Sequence, residues 1–170
     1  KTRTIAVIQC SYSHIMQCRD WLPDEIGGVA YFSFDNPAQS PRIPIYAGST
    51  QLPNEFDVCG QHRYRTDAAI WSFRETNRIS TIDWHKTRGL LEPKVAYFEK
   101  QMMRENPVVE REVAELVKAG KKDEAAEVLK ETLTGADIEY ELLFIDDGSK
   151  DRTIEKVEEL HAKHPVSLYS

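Results

Sequence analysis

The spacing of hydrophobic residues changes several times along the chain, and each change marks an element. Thr4-Ile5-Ala6-Val7-Ile8-Gln9 is rich in β-branched residues, and Val29-Ala30-Tyr31-Phe32-Ser33-Phe34 is apolar and aromatic; both segments read as strands. Between them, Pro23 and the paired Gly27-Gly28 punctuate a connecting loop, and Asp35-Asn36-Pro37 closes the second strand as a turn. Pro41, Pro44 and Pro53, with Gly48 and Gly60, then exclude regular helix, because proline lacks an amide donor and crowds the preceding turn.

Helical spacing begins near Asp67, an expected N-cap, and places Ala69, Ile70, Phe73 and Ile79 on roughly one side. The clearest stripe is Leu91, Val95, Phe98 and Met102, with Pro93 at a position where a helix can start. Asn106-Pro107 repeats that start signal ahead of Val109, Val113 and Leu116, and Gly120 is the stop. Asp123 opens a further helix carrying Ala126, Leu129 and Leu133, with Gly135 after it. The stripe at 91–102 reads mainly as core, and alternatively as the face of a non-enzymatic helical interaction module.

The last segment has a different pattern. Tyr140-Glu141-Leu142-Leu143-Phe144-Ile145 is a strand of the buried, parallel-sheet kind, and Asp151 caps a helix striped by Ile154, Val157 and Leu160. Val166-Ser167-Leu168-Tyr169 starts a second strand. The fold class expected is therefore α+β, with a strand pair and helices over residues 1–135 followed by a truncated βαβ unit over 136–170.

Charge is also unevenly spread, and its change falls well before this division. The chain of 170 residues has a net charge of −6, and Lys+Arg against Asp+Glu gives 10 to 9 over residues 1–91 but 12 to 19 over residues 92–170. So little positive excess argues against a nucleic-acid binder. No run reaches the roughly 18 apolar residues of a membrane span, and no secretory signal is visible, so neither a nucleic acid nor a membrane is expected as a partner. Three cysteines, Cys10, Cys18 and Cys59, are too few for a disulfide scaffold, which points to a reducing, cytoplasmic setting.

Candidate chemistry is sparse. Cys59 with His62, and His161 with His164, have i, i+3 spacing, but a closed zinc site needs four ligands, so no metal or other cofactor is expected. His14 and His85 are isolated. The basic-aromatic segment His62-Arg63-Tyr64-Arg65, with Arg74 and Arg78, could meet a carboxylate through bidentate pairing, or could be a solvated face paired locally with Asp67 and Glu75.

Longer passages carry two resemblances. Ser11-Tyr12-Ser13-His14, Trp21-Leu22-Pro23-Asp24-Glu25-Ile26-Gly27-Gly28-Val29, Phe34-Asp35-Asn36-Pro37, Pro41-Arg42-Ile43-Pro44-Ile45-Tyr46-Ala47-Gly48, Gly60-Gln61-His62-Arg63-Tyr64-Arg65 and Ala69-Ile70-Trp71-Ser72-Phe73-Arg74 make residues 9–134 resemble the C-terminal part of a thiol dipeptidase of the N-terminal-nucleophile hydrolase superfamily. That resemblance implies part of an αββα sandwich and hydrolysis of dipeptides by a cysteine at the start of the mature chain, whose free amine serves as base. It makes a dipeptide the substrate, and Arg63 and Arg65 the residues expected to bind it. Because Lys1 begins this chain and the three cysteines are internal, no catalytic residue is assigned and the chain alone is expected to be inactive. A missing N-terminal half, or self-association through exposed apolar surface, is the partner this implies.

Tyr140-Glu141-Leu142-Leu143-Phe144-Ile145-Asp146-Asp147-Gly148-Ser149-Lys150-Asp151-Arg152-Thr153 makes residues 138–170 resemble inverting family-2 glycosyltransferases. There an aspartate at the strand end recognises a nucleotide, which makes Asp147, then Asp146, the expected nucleotide-binding residues. The alternative function is thus a nucleotide-sugar-dependent transferase. The two resemblances abut near residue 135 without a linker, as a fusion of two truncated segments would.

Overall fold

The computed structural model describes residues 6, 7, 9–134, 142–145 and 166–169. They fall into two compact units, Lys1–Ala136 and Asp137–Ser170. The first is mixed α+β, with a three-stranded antiparallel sheet in the order β1-β2-β3.

The strands are β1 (Tyr12–Cys18), β2 (Gly28–Phe34) and β3 (Ile43–Tyr46), and a one-turn helix α1 (Asp24–Gly27) lies between β1 and β2. Strand β2 falls where its apolar run predicts. Its antiparallel neighbour differs from expectation: it is Tyr12–Cys18, paired without a bulge from Tyr12↔Phe34 to Cys18↔Gly28. Of the segment expected as a strand, Thr4, Ile5 and Ile8 lie outside the described residues, and a turn closes just after it through the Cys10 N–H donating to the Val7 carbonyl (3.0 Å). The pattern of β1 hid it. An edge strand exposed on both faces needs no alternation, and Met16 is 70% exposed.

Pro44 sits within β3, which is tolerable because β3 is the opposite edge and one of its sides makes no ladder. Directly after Pro53 comes the single helical turn α2 (Asn54–Asp57), so the proline-rich region holds one turn of helix where none is expected. Proline's fixed φ suits the entrance to such a turn.

Helix α3 (Ala69–Ile82) begins two residues after Asp67 and has Ala68 at its N-cap; Asp67 does not cap it. Helix α4 (Trp84–Lys118) runs 35 residues through Pro93 and Pro107, where two separate helix starts are expected. Both prolines are exposed, so the carbonyls that lose an amide partner can be met by water, and Gly89, four residues before Pro93, has nothing within 4 Å of where a Cβ would sit. The Asp83 side chain accepts from the Lys86 N–H at its start, and Gly120, with φ +77°, ends it as a left-handed C-terminal residue. Helix α5 (Lys122–Thr134) returns alongside.

The core lies between one face of the sheet and the α4–α5 pair: Ile26, Val29 and Tyr46 pack with Val113, Ala125 and Leu129. The stripe Leu91, Val95, Phe98 and Met102 is only half covered, because the core meets α4 further along, at Val109, Val113 and Leu116. The opposite sheet face is aromatic. Tyr12 stacks on Phe32 at 5.6 Å, and Phe34 meets Phe56 of α2 and Phe73 of α3 at 5.0 and 5.3 Å.

In the second unit, β4 (Leu142–Ile145) and β5 (Val166–Tyr169) pair in parallel, with Leu142 opposite Val166. A parallel pair requires a crossover connection, which is the order expected of a βαβ unit. Asp146, Asp147, the helix expected after Asp151, His161 and His164 lie outside the described residues.

Candidate functional site

Strand β2 ends in a turn that builds a buried polar cluster. Asp35 adopts a left-handed φ of 56°, which aspartate tolerates better than most residues, and its N–H donates to the Ser11 carbonyl at 2.9 Å. Asn36 then folds the next residues onto itself, its Oδ1 accepting from the Ala38 N–H and its Nδ2 donating to Gln39 Oε1. The tight turn drives Asp35 inward, where it is 1% exposed.

A buried carboxylate needs partners, and α3 supplies them. Arg74 Nε donates to Asp35 Oδ1 at 3.1 Å, and Asn77 Nδ2 donates to Asp35 Oδ2 at 2.9 Å and to Ser40 Oγ at 3.0 Å. Ser33 Oγ donates to the Ser40 carbonyl. Asn77 Oδ1 is buried without a hydrogen bond, so the cluster retains one unfilled acceptor.

The loop after α2 is fixed to the same helix. Gly60 is required where it lies: a Cβ there would stand 2.7 Å from Ile70 Cγ2 and 2.7 Å from Trp71 Cδ1. This close approach lets Trp71 Nε1 donate to the Gly60 carbonyl at 2.6 Å and to the Arg63 carbonyl at 2.9 Å. Tyr64 meets the indole edge-on at 5.1 Å, and the Arg74 and Arg78 guanidinium carbons lie over it at 5.2 and 5.7 Å. Burial, then the charge of Glu75, holds the Tyr64 phenol above its ordinary pKa.

Gly60 and Gln61 also border an open cleft of about 140 Å³ against Tyr12, Phe32, Phe34 and Ile70, with Cys59 on its wall. The cleft is apolar, and Gln61, the last residue of its wall in this loop, precedes the basic segment in the chain.

Of the two expected substrate-binding residues, Arg65 forks Asp67 through Nε at 2.8 Å and Nη2 at 2.6 Å. That pairing holds the Asp67 carboxyl below its usual range and the guanidinium above its own. Arg63 is exposed, and its backbone carbonyl anchors Trp71. Cys59 and His62 are both exposed, and no metal-holding group of three His, Cys, Asp or Glu occurs among the described residues. His14 stacks on Tyr12 at 6.0 Å between ring centres. The structure thus joins Phe34-Asp35-Asn36-Pro37, Gly60–Arg65 and Ala69–Arg74, three separate passages in the chain. Asp35 and Asn77 escape the sequence reading because a turn aspartate and a mid-helix asparagine carry no local sign of being partners across 42 positions.

The sheet and α3 are thus tied by the buried Asp35–Arg74 ion pair, with the apolar cleft beside them. Residues 1–96 match the model of Peptidase family C69, and the chain belongs to that family. No curated protein and no solved structure gives a match. Among the described residues no helix is long and apolar enough to cross a membrane.

Proposed function

We propose that the first unit is part of a thiol dipeptidase of the N-terminal-nucleophile type, that its substrates are dipeptides, and that the basic segment at Arg63 and Arg65 meets their carboxylate. The observation that carries this is the family match across the passages that Asp35, Arg74 and Trp71 bring together. The outward edge of β1, which pairs with no strand among the described residues, and the part of the aromatic face at Tyr12 and Phe32, beyond the α2 and α3 contacts to Phe34, support the αββα sandwich. In that fold a second sheet covers such a face. The sheet would come from an N-terminal half of the same family or from a second copy of this chain.

The reading gives no nucleophilic role to Cys10, Cys18 or Cys59. Cys18 closes an exposed edge strand and Cys59 stands in an exposed loop. Hydrolysis of a dipeptide panel by the purified chain and by its three Cys→Ala variants tests this. The expected result is no difference between the variants and the parent, and loss of turnover in one variant would identify that cysteine as the attacking thiol.

The parallel pairing of β4 with β5 favours a second reading for residues 137–170, a nucleotide-sugar-transferase fragment with Asp147 and Asp146 toward the nucleotide. On that reading, titration with UDP or GDP gives saturable binding that Asp147→Ala abolishes; no binding, or binding unchanged in that variant, removes it.

A further inference from the structure

We propose that β1 is a self-complementary edge, and that two copies of this chain join by pairing Tyr12–Cys18 antiparallel about a two-fold axis at Ile15, so that two three-stranded sheets become one. The proposal rests on the sheet of the first unit and not on the peptidase reading.

The two edges of that sheet are unlike. At the ends of β1, the Asp35 N–H donates to the Ser11 carbonyl at 2.9 Å and the Arg19 N–H donates to the Gly27 carbonyl at 2.8 Å. Hydrogen-bonded pairs alternate along an antiparallel ladder, so Ser13, Ile15 and Gln17 bond to β2, and the backbone groups of Tyr12, His14, Met16 and Cys18 point away from it. The same alternation on β3, set by the Ala47 N–H donating to the Gly28 carbonyl, turns the Pro44 nitrogen outward. That edge lacks a donor in its middle, which blocks strand addition. Strand β1 has no such guard: it contains no proline, no bulge and no Asp, Glu, Lys or Arg. Its Tyr12, Ile15 and Met16 are more than half exposed.

Register selects a second copy as the occupant. The outward groups lie at even positions, so self-pairing forms hydrogen bonds only when the axis passes through a residue and not between two. With the axis at Ile15, all four outward residues are used: Tyr12 lies opposite Cys18 of the second copy, and His14 opposite its Met16. These side chains extend the face on which Tyr12 stacks against Phe32. On the other face Ile15 meets its own counterpart, and polar Ser13 meets polar Gln17. Moving the axis to His14 sets Ser13 against Ile15 and leaves Cys18 beyond the partner strand; moving it to Met16 sets Ile15 against Gln17 and Tyr12 against Asp20. Both shifts lose the match of like with like across the strands. The pairing is isologous and leaves only the Pro44 edges outside, so assembly stops at two.

The mass of the full chain in solution, measured by light scattering at micromolar concentration, is expected to be that of two chains. Met16→Pro keeps every bond to β2, because the Met16 N–H points outward, and should give a monomer with unchanged circular dichroism. Ile15→Lys, at an exposed position, should do the same by placing two like charges at the axis, and it decides the matter if the proline variant unfolds. Amide exchange at His14 and Met16 should slow as concentration rises, while Ile15 and Gln17 stay protected throughout. In a chain carrying Cys10→Ser, Cys18→Ser and Cys59→Ser, Ile15→Cys should oxidise to a cross-linked dimer. Gln17→Cys should not, since its two copies would lie about 13 Å apart along the strands, beyond the reach of a disulfide. The proposal is overturned by a monomeric parent, by assemblies larger than two, by a dimer that survives Ile15→Lys, or by Gln17→Cys cross-linking as readily as Ile15→Cys. Protection of His14 and Met16 at every dilution would also overturn it, by giving the edge to another segment of the same chain. Each of these results leaves the peptidase reading standing, because dipeptide hydrolysis is measured separately.

Discussion

Replacing Asp35 with alanine is expected to destabilise the first unit by about 3–5 kcal/mol, the range for removing one partner of a buried ion pair. The charge left behind is that of Arg74, whose side chain is 13% exposed and whose Nε loses its acceptor. Asn77 Nδ2 loses Asp35 as well and keeps only Ser40, and a buried donor deprived of its partner carries a desolvation cost. The backbone adds a smaller penalty of about 1 kcal/mol, since φ 56° suits aspartate or asparagine better than alanine. Asp35→Asn separates the two effects: it keeps the backbone preference and an acceptor for Asn77 while removing the charge that Arg74 needs. Its loss should fall between those of the parent and Asp35→Ala. Urea unfolding followed by circular dichroism checks the order, and if Asp35→Ala falls within about 1 kcal/mol of the parent, the cluster does not hold α3 to the sheet.

The same cluster shows where sequence reasoning stops. Strand β2 is legible because six consecutive residues, Val29 to Phe34, are apolar or aromatic apart from one serine, and a turn signal follows at once. Helix α3 is legible because Ala69, Ile70 and Phe73 share a side. Strand β1 is not, because Tyr12–Cys18 is an edge whose residues are mostly exposed, and burial is what imprints alternation on a sequence. The prolines of α4 mislead for a related reason. Pro93 and Pro107 each forbid one backbone hydrogen bond, which stops an isolated helix, but packing of Val109, Val113 and Leu116 on the core outweighs that loss. In the site, the arginines are visible as residue types, but which are occupied depends on contacts. Arg65 and Arg63 look alike in sequence, and only the position of Asp67 distinguishes them.

A second large effect is expected at the other end of the sheet, where Glu110→Ala should cost about 3 kcal/mol or more. Glu110 lies on α4 and accepts from Arg19 Nη1, at 2.8 Å to Oε1 and 3.0 Å to Oε2, and from the Tyr46 hydroxyl at 2.9 Å. The Arg19 side chain is 11% exposed, and its Nη2 also donates to the Ile26 carbonyl at 2.6 Å, so it cannot swing into water when its carboxylate is removed. Removing Glu110 therefore strands a cation and a phenol against the Ile26, Val29 and Val113 core. A double-mutant cycle of Arg19→Met with Glu110→Leu should recover part of the loss, since replacing both charges removes the unmatched partner. Tyr46 adds a pH signature. Burial first, then its hydrogen bond to Glu110, raises the phenol pKa in the folded protein far above the unfolded value of about 10. Below pH 10 both states keep the proton and the contribution is complete. Above it the unfolded chain ionises first, so stability falls as pH rises. Urea midpoints should decline above about pH 10 in the parent and decline less in Tyr46→Phe, which has no phenol to ionise. Equal alkaline slopes in the two proteins would place the sensitive group elsewhere, and a Glu110→Ala chain as stable as the parent would show that α4 docks on the sheet through its apolar contacts alone.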